Sequence, residues 1–329
     1  MIVDWFVMEK SHTREGIILI STGCPHGRED VRGFIQAILS DSEVMRVSGW
    51  KIFSKVLSPL IARLREKKVV MRYESCGAFG VLSKRMEEIA SKIEEKLGVK
   101  TKPSFIYSKP SIFDVLLEMK EKGVERIVAV PVNPQFSIST NGAFISAFRN
   151  AISELNIESV FVTSFYRNDK FIELMGNVVK ETLENNGISF DDNYCRFVFV
   201  AHSIPLSNLK EGDPYIEQVE ETVRRLTNFL QIEKNWILAW QSKIGPVRWV
   251  GPDVKECVKK IAKEGIESIV VIPVSFLVEN LETLFDLDIE LRKVAEKSGI
   301  KKFVRVKTPG EDDRFSDVIC KIVEEFLIK

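Results

Sequence analysis

Gly123-Val124-Glu125-Arg126-Ile127-Val128-Ala129-Val130-Pro131-Val132 recurs further along the chain as Gly265-Ile266-Glu267-Ser268-Ile269-Val270-Val271-Ile272-Pro273-Val274. Each copy follows a Lys/Glu-rich segment of helical period, so the glycine ends a helix, a short turn follows, and an apolar strand runs into proline. Agreement at both glycine and proline predicts two related halves. Two similar sheets facing each other across a cleft are the simplest architecture that such a repeat builds.

Outward from the repeat, apolar strand-like runs alternate with amphipathic helical segments, the pattern of an α/β fold with doubly wound parallel sheets. Strands are expected near 16–21, 104–107, 126–132, 158–163, 196–201, 236–241, 268–273 and 302–307. The helices between them place Lys and Glu on one face, as in Lys84-Arg85-Met86-Glu87-Glu88-Ile89-Ala90, and these charge runs read as solvated faces. With 329 residues, 45% of them hydrophobic, the chain can fill two cores. The boundary is expected after Thr163-Ser164-Phe165-Tyr166, giving an N-terminal domain over 1–167 and a C-terminal domain over 168–329.

Lys plus Arg and Asp plus Glu both number 47, so no global field favours nucleic acid, and no basic patch interleaved with aromatics stands out. Cys24, Cys76, Cys195, Cys257 and Cys320 are scattered and form no C-x-x-C pair, which argues against a zinc knuckle or a disulfide framework and suits a reducing compartment. No cationic leader with an apolar core opens the chain, and no uncharged apolar run reaches the ~18 residues of a spanning helix. A cytoplasmic protein is expected, at most resting on a membrane surface.

The candidate chemistry lies in the second half. Phe197-Val198-Phe199-Val200-Ala201-His202-Ser203-Ile204-Pro205 reads as a buried strand that releases its chain at His202, the only histidine after His26. Open α/β sheets bind ligands where strands end in this way. After Pro273 comes Ser275-Phe276-Leu277-Val278-Glu279-Asn280-Leu281-Glu282-Thr283-Leu284-Phe285-Asp286-Leu287-Asp288-Ile289-Glu290. If this segment is helical, Glu282, Asp286 and Glu290 line one stripe, flanked by leucines where a solvated helix would carry lysines. Asp286 and Glu290 are either a solvated face or the border of a cleft. The position matching Glu282 in the first copy is Thr140, so folding of the repeat does not require an acid there.

These residues sit within motifs that resemble the ferrochelatases, enzymes that insert ferrous iron into a porphyrin late in haem synthesis. The resemblance is carried by Ala201-His202-Ser203-Ile204-Pro205, by Gly212-Asp213-Pro214-Tyr215, and by Trp240-Gln241-Ser242-Lys243-Ile244-Gly245-Pro246 with Trp249-Val250-Gly251-Pro252. Glu282-Thr283-Leu284 with Asp288-Ile289-Glu290 completes the series. The motifs follow the family's order and nearly its spacing. The N-terminal half agrees more loosely, through Gly23 and Pro25, Arg72-Tyr73, and Pro134-Gln135-Phe136-Ser137 with Ser139-Thr140 and Gly142. The resemblance implies two Rossmann-like domains with the porphyrin between them, His202 and Glu282 as catalytic residues and metal ligands, and Asp286 and Glu290 as a relay for protons or metal. It further implies porphyrin contacts from Thr22, Trp50, Arg72, Tyr73, Tyr107, Phe144 and Trp249, and a mobile apolar lip near 47–66 that can rest on a membrane.

The chemistry fits. A free-base porphyrin holds two pyrrole protons, so metalation needs a base, and a histidine with a reference pKa of ~6.5 is suited to accept a proton near neutrality. A carboxylate is a hard oxygen ligand for Fe(II), so Glu282 either binds iron with His202 or relays protons along Asp286 and Glu290. The segment from Trp50 to Leu64 is either the lip or an amphipathic core helix. Arg63, Arg65 and Arg72 are candidate partners for porphyrin propionates, Arg72 foremost.

The chain departs from the family pattern in places. Glu279-Asn280 stands where a second pocket histidine is usual, Ile106-Tyr107 replaces an Arg-Tyr pair, and Thr22 occupies a position often held by Met or Tyr. Only Cys320 lies near the C-terminus, so no iron–sulfur cluster and no tightly bound cofactor are expected; iron is a substrate. A ferrous iron chelatase for protoporphyrin IX or coproporphyrin III is the leading expectation. A cobalt or nickel chelatase of another tetrapyrrole and a non-catalytic porphyrin or haem carrier are the alternatives.

Overall fold

A computed structural model describes residues 14–41, 43, 50–242 and 247–328, and for residues 50–53 the helical backbone alone. Two four-stranded sheets, parallel throughout, organise it. The first holds β1 (Glu15–Ser21), β2 (Lys100–Phe105), β3 (Arg126–Pro131) and β4 (Glu158–Phe161) in the order β2-β1-β3-β4. The second holds β5 (Cys195–His202), β6 (Trp236–Gln241), β7 (Ser268–Pro273) and β8 (Lys302–Arg305) in the matching order β6-β5-β7-β8. Glu15 pairs with Arg126 where Cys195 pairs with Ser268, so the repeat read in the sequence is a repeat of sheet topology and register.

The N-terminal half adds α1 (Arg28–Ser40), α2 (Trp50–Cys76), α3 (Val81–Leu97), α4 (Ile112–Glu121) and α5 (Asn141–Leu155). The C-terminal half adds α6 (Asp169–Asn185), α7 (Leu206–Lys210), α8 (Tyr215–Leu230), α9 (Val254–Lys263), a π-helix (Glu282–Leu291) continuing into α10 (Arg292–Lys297), and α11 (Phe315–Glu324). The two repeat glycines follow α4 and α9 with φ of 86° at Gly123 and 80° at Gly265. That left-handed geometry is open to glycine at little steric cost, which is why both copies keep it.

All seven residues of β1 are buried, as helices on both faces require. On one face the core runs without a break between the halves: Ile17 and Leu19 of β1 belong to the same apolar cluster as Phe197 and Phe199 of β5, joined through Phe171 of α6 and Phe315 of α11. The last helix accordingly packs back on α3 and α6, with Lys96 holding Asp317 at 2.5 Å. A polar clasp adds to this joint. The buried Asp213 carboxylate accepts from Ser137 Oγ and the Ile138 backbone N–H, both at 2.9 Å, and Gln135 Nε2 donates to Thr222 Oγ1 and the Val274 carbonyl at 3.0 Å.

Two expectations are corrected. The second strand runs over Lys100–Phe105 rather than 104–107. It is an edge strand, where the missing N–H of Pro103 and the charges of Lys100 and Lys102 are tolerated although they make the segment look unlike a strand. Phe144, expected against the porphyrin, is fully buried with Ile18, Ile20, Ile127 and Ala129 in the core of the first half, where it has no open face to offer a ligand.

Candidate active site

The site forms where β5, β6 and β7 end. β5 releases its chain at His202, which is in register with Gln241 at the end of β6, and Glu282 opens the π-helix that follows β7. His202 Nδ1 lies 3.0 Å from Glu282 Oε1, with side chains 35% and 32% exposed, so the pair is within reach of a ligand. The His202 backbone N–H donates to Ser275 Oγ at 3.0 Å, and its ring meets Phe276 edge-on. Ser242 sits in the left-handed region with φ of 65°, a costly conformation for a residue with a Cβ, and its hydroxyl donates to Glu282 Oε1 at 3.1 Å.

Charge at the pair is set by opposed effects. Burial disfavours the imidazolium of His202, but the attraction and hydrogen bond of Glu282 outweigh it and raise the histidine's pKa. Burial likewise disfavours the Glu282 carboxylate, yet His202, the Ser242 hydroxyl and the more distant Arg72 together hold it below the ordinary carboxylate range. In the neutral imidazole the proton therefore belongs on Nδ1, facing Glu282, and Nε2 keeps its lone pair.

Each acid of the row has its own counter-group, and each comes from a different element. Glu282 has His202 from β5, Asp286 has Arg72 from α2, and Glu290 has Lys255 from α9 at 2.7 Å. The lysine hydrogen bond, acting against burial, lowers the pKa of Glu290. Three like charges on one stripe would repel one another, and the counter-groups offset that repulsion one acid at a time. Among the described residues no group of three or more His, Cys, Asp or Glu side chains could hold a metal ion, so the three acids do not converge on one point. His202 and Glu282 are the pair that could hold one jointly with a ligand's own donor atoms.

The other residues singled out in the sequence scatter around this centre. Tyr73 is buried, stacked on Phe79 at 5.0 Å, and burial, with smaller contributions that include the Glu282 charge, raises its pKa. Tyr107 donates to Asp41 at 2.8 Å, Thr22 is half-buried at the end of β1, and half-buried Trp249 pairs through its backbone with Pro205. Arg63 is exposed and Arg65 half-buried on α2. The side chain of Trp50 and residues 47–49 of the expected lip lie outside the described residues. Arg72 reaches Asp286, a pairing the sequence did not suggest, with its guanidinium 4.5 Å over the Phe285 ring.

Three contributors escaped sequence reasoning. Asn280 is a cap: its Oδ1 accepts from the backbone N–H of Glu282 at 2.9 Å and of Thr283 at 3.1 Å, an Asx cap that an Asn two residues before a helical acid could have signalled. Arg305, at the end of β8, gives Nη1 to Glu279 at 2.7 Å and forks onto both oxygens of Asp288 at 2.8 and 2.7 Å. It ties the π-helix to the sheet on both sides of Glu282, and nothing local marks it. Lys255 stands in an ordinary charged run.

The sheet register shows what distinguishes the halves. Because β1 and β5 correspond in register, Thr22 stands where His202 does, and the sequence repeat continued beyond β3 and β7 sets Thr140 against Glu282. One half carries an imidazole and a carboxylate where the other carries two hydroxyls.

Two like sheets with an imidazole–carboxylate pair at the strand ends define a two-lobed chelatase fold. Solved chelatases share it: SirB from Bacillus subtilis with Fe3+ matches with a TM-score of 0.55 at 13% identity over 95% of this chain and 96% of its own. CbiX of denitrifying bacteria matches with a TM-score of 0.55 at 9% identity over 95% and 100%. At that identity the likeness is one of fold. Sequence carries it further: the family model Ferrochelatase matches residues 14–327. The chain is 34% identical over 317 residues to the ferrochelatase of Aquifex aeolicus, covering 94% of this chain and 99% of that protein. It is 31% identical over 352 residues to the mitochondrial ferrochelatase of Dictyostelium discoideum, covering 97% and 82%. The chain belongs to the ferrochelatase family.

Proposed function

We propose that this chain inserts ferrous iron into a free-base porphyrin, protoporphyrin IX or coproporphyrin III, with His202 and Glu282 as the reacting groups. The observation that carries the assignment is the 3.0 Å contact between His202 Nδ1 and Glu282 Oε1 at the end of β5. Two pyrrole N–H bonds break and two iron–nitrogen bonds take their place while the remaining two nitrogens donate lone pairs; two protons leave for each iron. With Nδ1–H engaged by Glu282, His202 Nε2 accepts a pyrrole proton, and Glu282 stabilises the imidazolium that results. The carboxylate also supplies a hard oxygen donor for ferrous iron before its transfer to the ring, without the retention a thiolate would impose. Asp286 and Glu290 extend from Glu282 along the π-helix and form the route for protons or metal.

The reading includes no resident cofactor. Cys320 is buried in α11, packed in the core rather than grouped with other thiols. No helix among the described residues is long and apolar enough to cross a membrane. A peripheral membrane contact from the cytoplasmic side is supported by α2, whose exposed Val56, Leu60, Leu64 and Met71 alternate with exposed Lys55, Arg63, Lys67 and Lys68. Co-sedimentation with anionic vesicles checks that contact, and Leu60→Asp/Leu64→Asp is expected to abolish it.

The test of function is anaerobic incubation of the purified protein with Fe(II) and, separately, protoporphyrin IX and coproporphyrin III, following loss of free-base absorbance. Saturable turnover of either is expected, and the faster one is the substrate. Porphyrin binding without turnover would favour a carrier; turnover with Co(II) or Ni(II) alone would favour a different chelatase.

A further inference from the structure

We infer that Gln241 holds a buried water against the His202–Glu282 pair and thereby fixes the orientation of the Glu282 carboxylate, which makes it a positioning residue for metal insertion. The inference rests on the chelatase reading of the pocket and adds to it a support that acts on the pair from β6.

Gln241 ends β6 in register with His202 at the end of β5. Neighbours in register on parallel strands share a face of the sheet, and side chains two apart along a strand return to that face. Gln241 therefore projects from the same face as Ala239 and Val200, the one that Val254 of α9 and Leu287 of the π-helix cover. Its backbone carbonyl accepts from Ser203 N–H at 2.8 Å, beside His202. The next residue, Ser242, donates its hydroxyl to Glu282 Oε1 at 3.1 Å. The chain on both sides of the amide is thus fastened to the two residues of the pair or their immediate neighbours.

The amide itself has no protein partner. Gln241 is 3% exposed, and both Nε2 and Oε1 are buried without a hydrogen bond. A buried amide unpaired at both ends costs free energy that a leucine or methionine of similar size would not. Neither atom is open to a group as large as a porphyrin. Water has the right size and bonding capacity, since it both gives and takes hydrogen bonds and needs about two to four polar contacts when buried. Gln241 supplies a donor and an acceptor. Glu282 supplies a further acceptor, because its bonds to Ser242 and His202 both fall on Oε1. A water tied to the amide and to this carboxylate resists rotation of the carboxylate, and so preserves the 3.0 Å contact with His202 Nδ1.

The test compares wild type with Gln241→Met, which keeps the length of the side chain without its amide. In crystals of the full chain, wild type is expected to show an ordered water within hydrogen-bond distance of the Gln241 amide and of Glu282, and Gln241→Met is expected to lose it. With Fe(II) and the porphyrin that wild type turns over, kcat of Gln241→Met should fall at least about tenfold with porphyrin KM unchanged, as misplacement of a reacting group causes. Its Tm should hold or rise, because no hydrogen bond between protein groups is lost and an unpaired amide is removed. In a Glu282→Gln background the same substitution should lower kcat no further, the non-additivity of residues that act through one group.

A crystal structure in which the amide bonds a protein group, or a variant with lower Tm and unaltered kcat, would make Gln241 a structural residue and overturn the inference. Full additivity with Glu282→Gln would also overturn it, since Gln241 would then act elsewhere than on the carboxylate. If Gln241→Met does not fold, the wild-type crystal structure decides: a water joining the amide to Glu282 supports the inference, and an amide without one refutes it. Wild-type turnover that Gln241→Met leaves intact would refute this inference alone; the water in place with no turnover of either porphyrin would refute the chelatase reading and leave the water site standing.

Discussion

At His202 burial opposes the imidazolium and Glu282 favours it more strongly, so the histidine's protonation reports the pair. Its imidazole is expected to titrate above the ordinary 6.5 in the wild type and below it in Glu282→Gln, where burial acts unopposed. An NMR titration of the C–H signals reads this directly; coincident curves would mean that the two side chains do not interact in solution. The same pair makes stability depend on pH. The raised histidine stabilises fully below 6.5 and loses that contribution as pH rises through its folded value, while the lowered carboxylate stabilises above 4.5 and loses its contribution as pH falls through its folded value. The stability difference between wild type and Glu282→Gln, measured by urea unfolding, should therefore peak between 4.5 and 6.5. In catalysis His202→Ala should abolish metal insertion while porphyrin still binds, and Glu282→Gln should lose about 10²-fold or more in turnover. Unchanged turnover in both would remove them from the site.

The element that matters most is the π-helix. The stripe of Glu282, Asp286 and Glu290 was legible because recurrence every four residues puts side chains on one side of an α-helix, and it stays nearly in line when the winding loosens to i→i+5. The looser winding itself was not legible. It depends on how the helix is seated: Asn280 at its start and Arg305 against Glu279 and Asp288. Asn280→Ala should cost about 1 kcal/mol of stability, as loss of a helix cap does, and lower kcat with porphyrin affinity intact. Equal loss in kcat and porphyrin affinity would mean that Asn280 acts on the ligand directly. Phe144 makes the contrasting case. It follows the sheet on the same side of the repeat as the π-helix, but faces inward to β1 and β3, so Phe144→Ala should cost about 3–5 kcal/mol without altering porphyrin affinity. A porphyrin Kd that rises in a still-folded Phe144→Ala would restore it to the site.

Across the whole molecule the two halves act as one body because their cores and polar groups interlock. Asp213 accepts from Ser137 and Ile138 of the N-terminal half and from Tyr215 N–H at 3.1 Å, so its balance comes from hydrogen-bond donors, and among the described residues no Lys or Arg pairs with it. Asp213→Asn replaces one acceptor oxygen with a donor facing other donors, and should destabilise by about 1–3 kcal/mol. Thermal unfolding is expected to stay a single transition at lower temperature. Two separated transitions would show that the clasp, rather than the continuous apolar core, is what couples the halves.

From sequence alone came the strands apart from the edge strand β2, the repeat that makes two like sheets, and the two residues at strand and helix ends where such sheets bind ligands. Those features are written in local periodicity, in the glycines that end helices and in the apolar runs that must be covered. Tertiary structure alone decided that His202 and Glu282 are 3.0 Å apart, that Phe144 is core, and that Arg72 answers Asp286. The last pair is separated by 214 positions along the chain. No periodicity spans that distance, because the partner of a charge is chosen by which helices pack together and how deeply each side chain is buried, not by its neighbours in sequence.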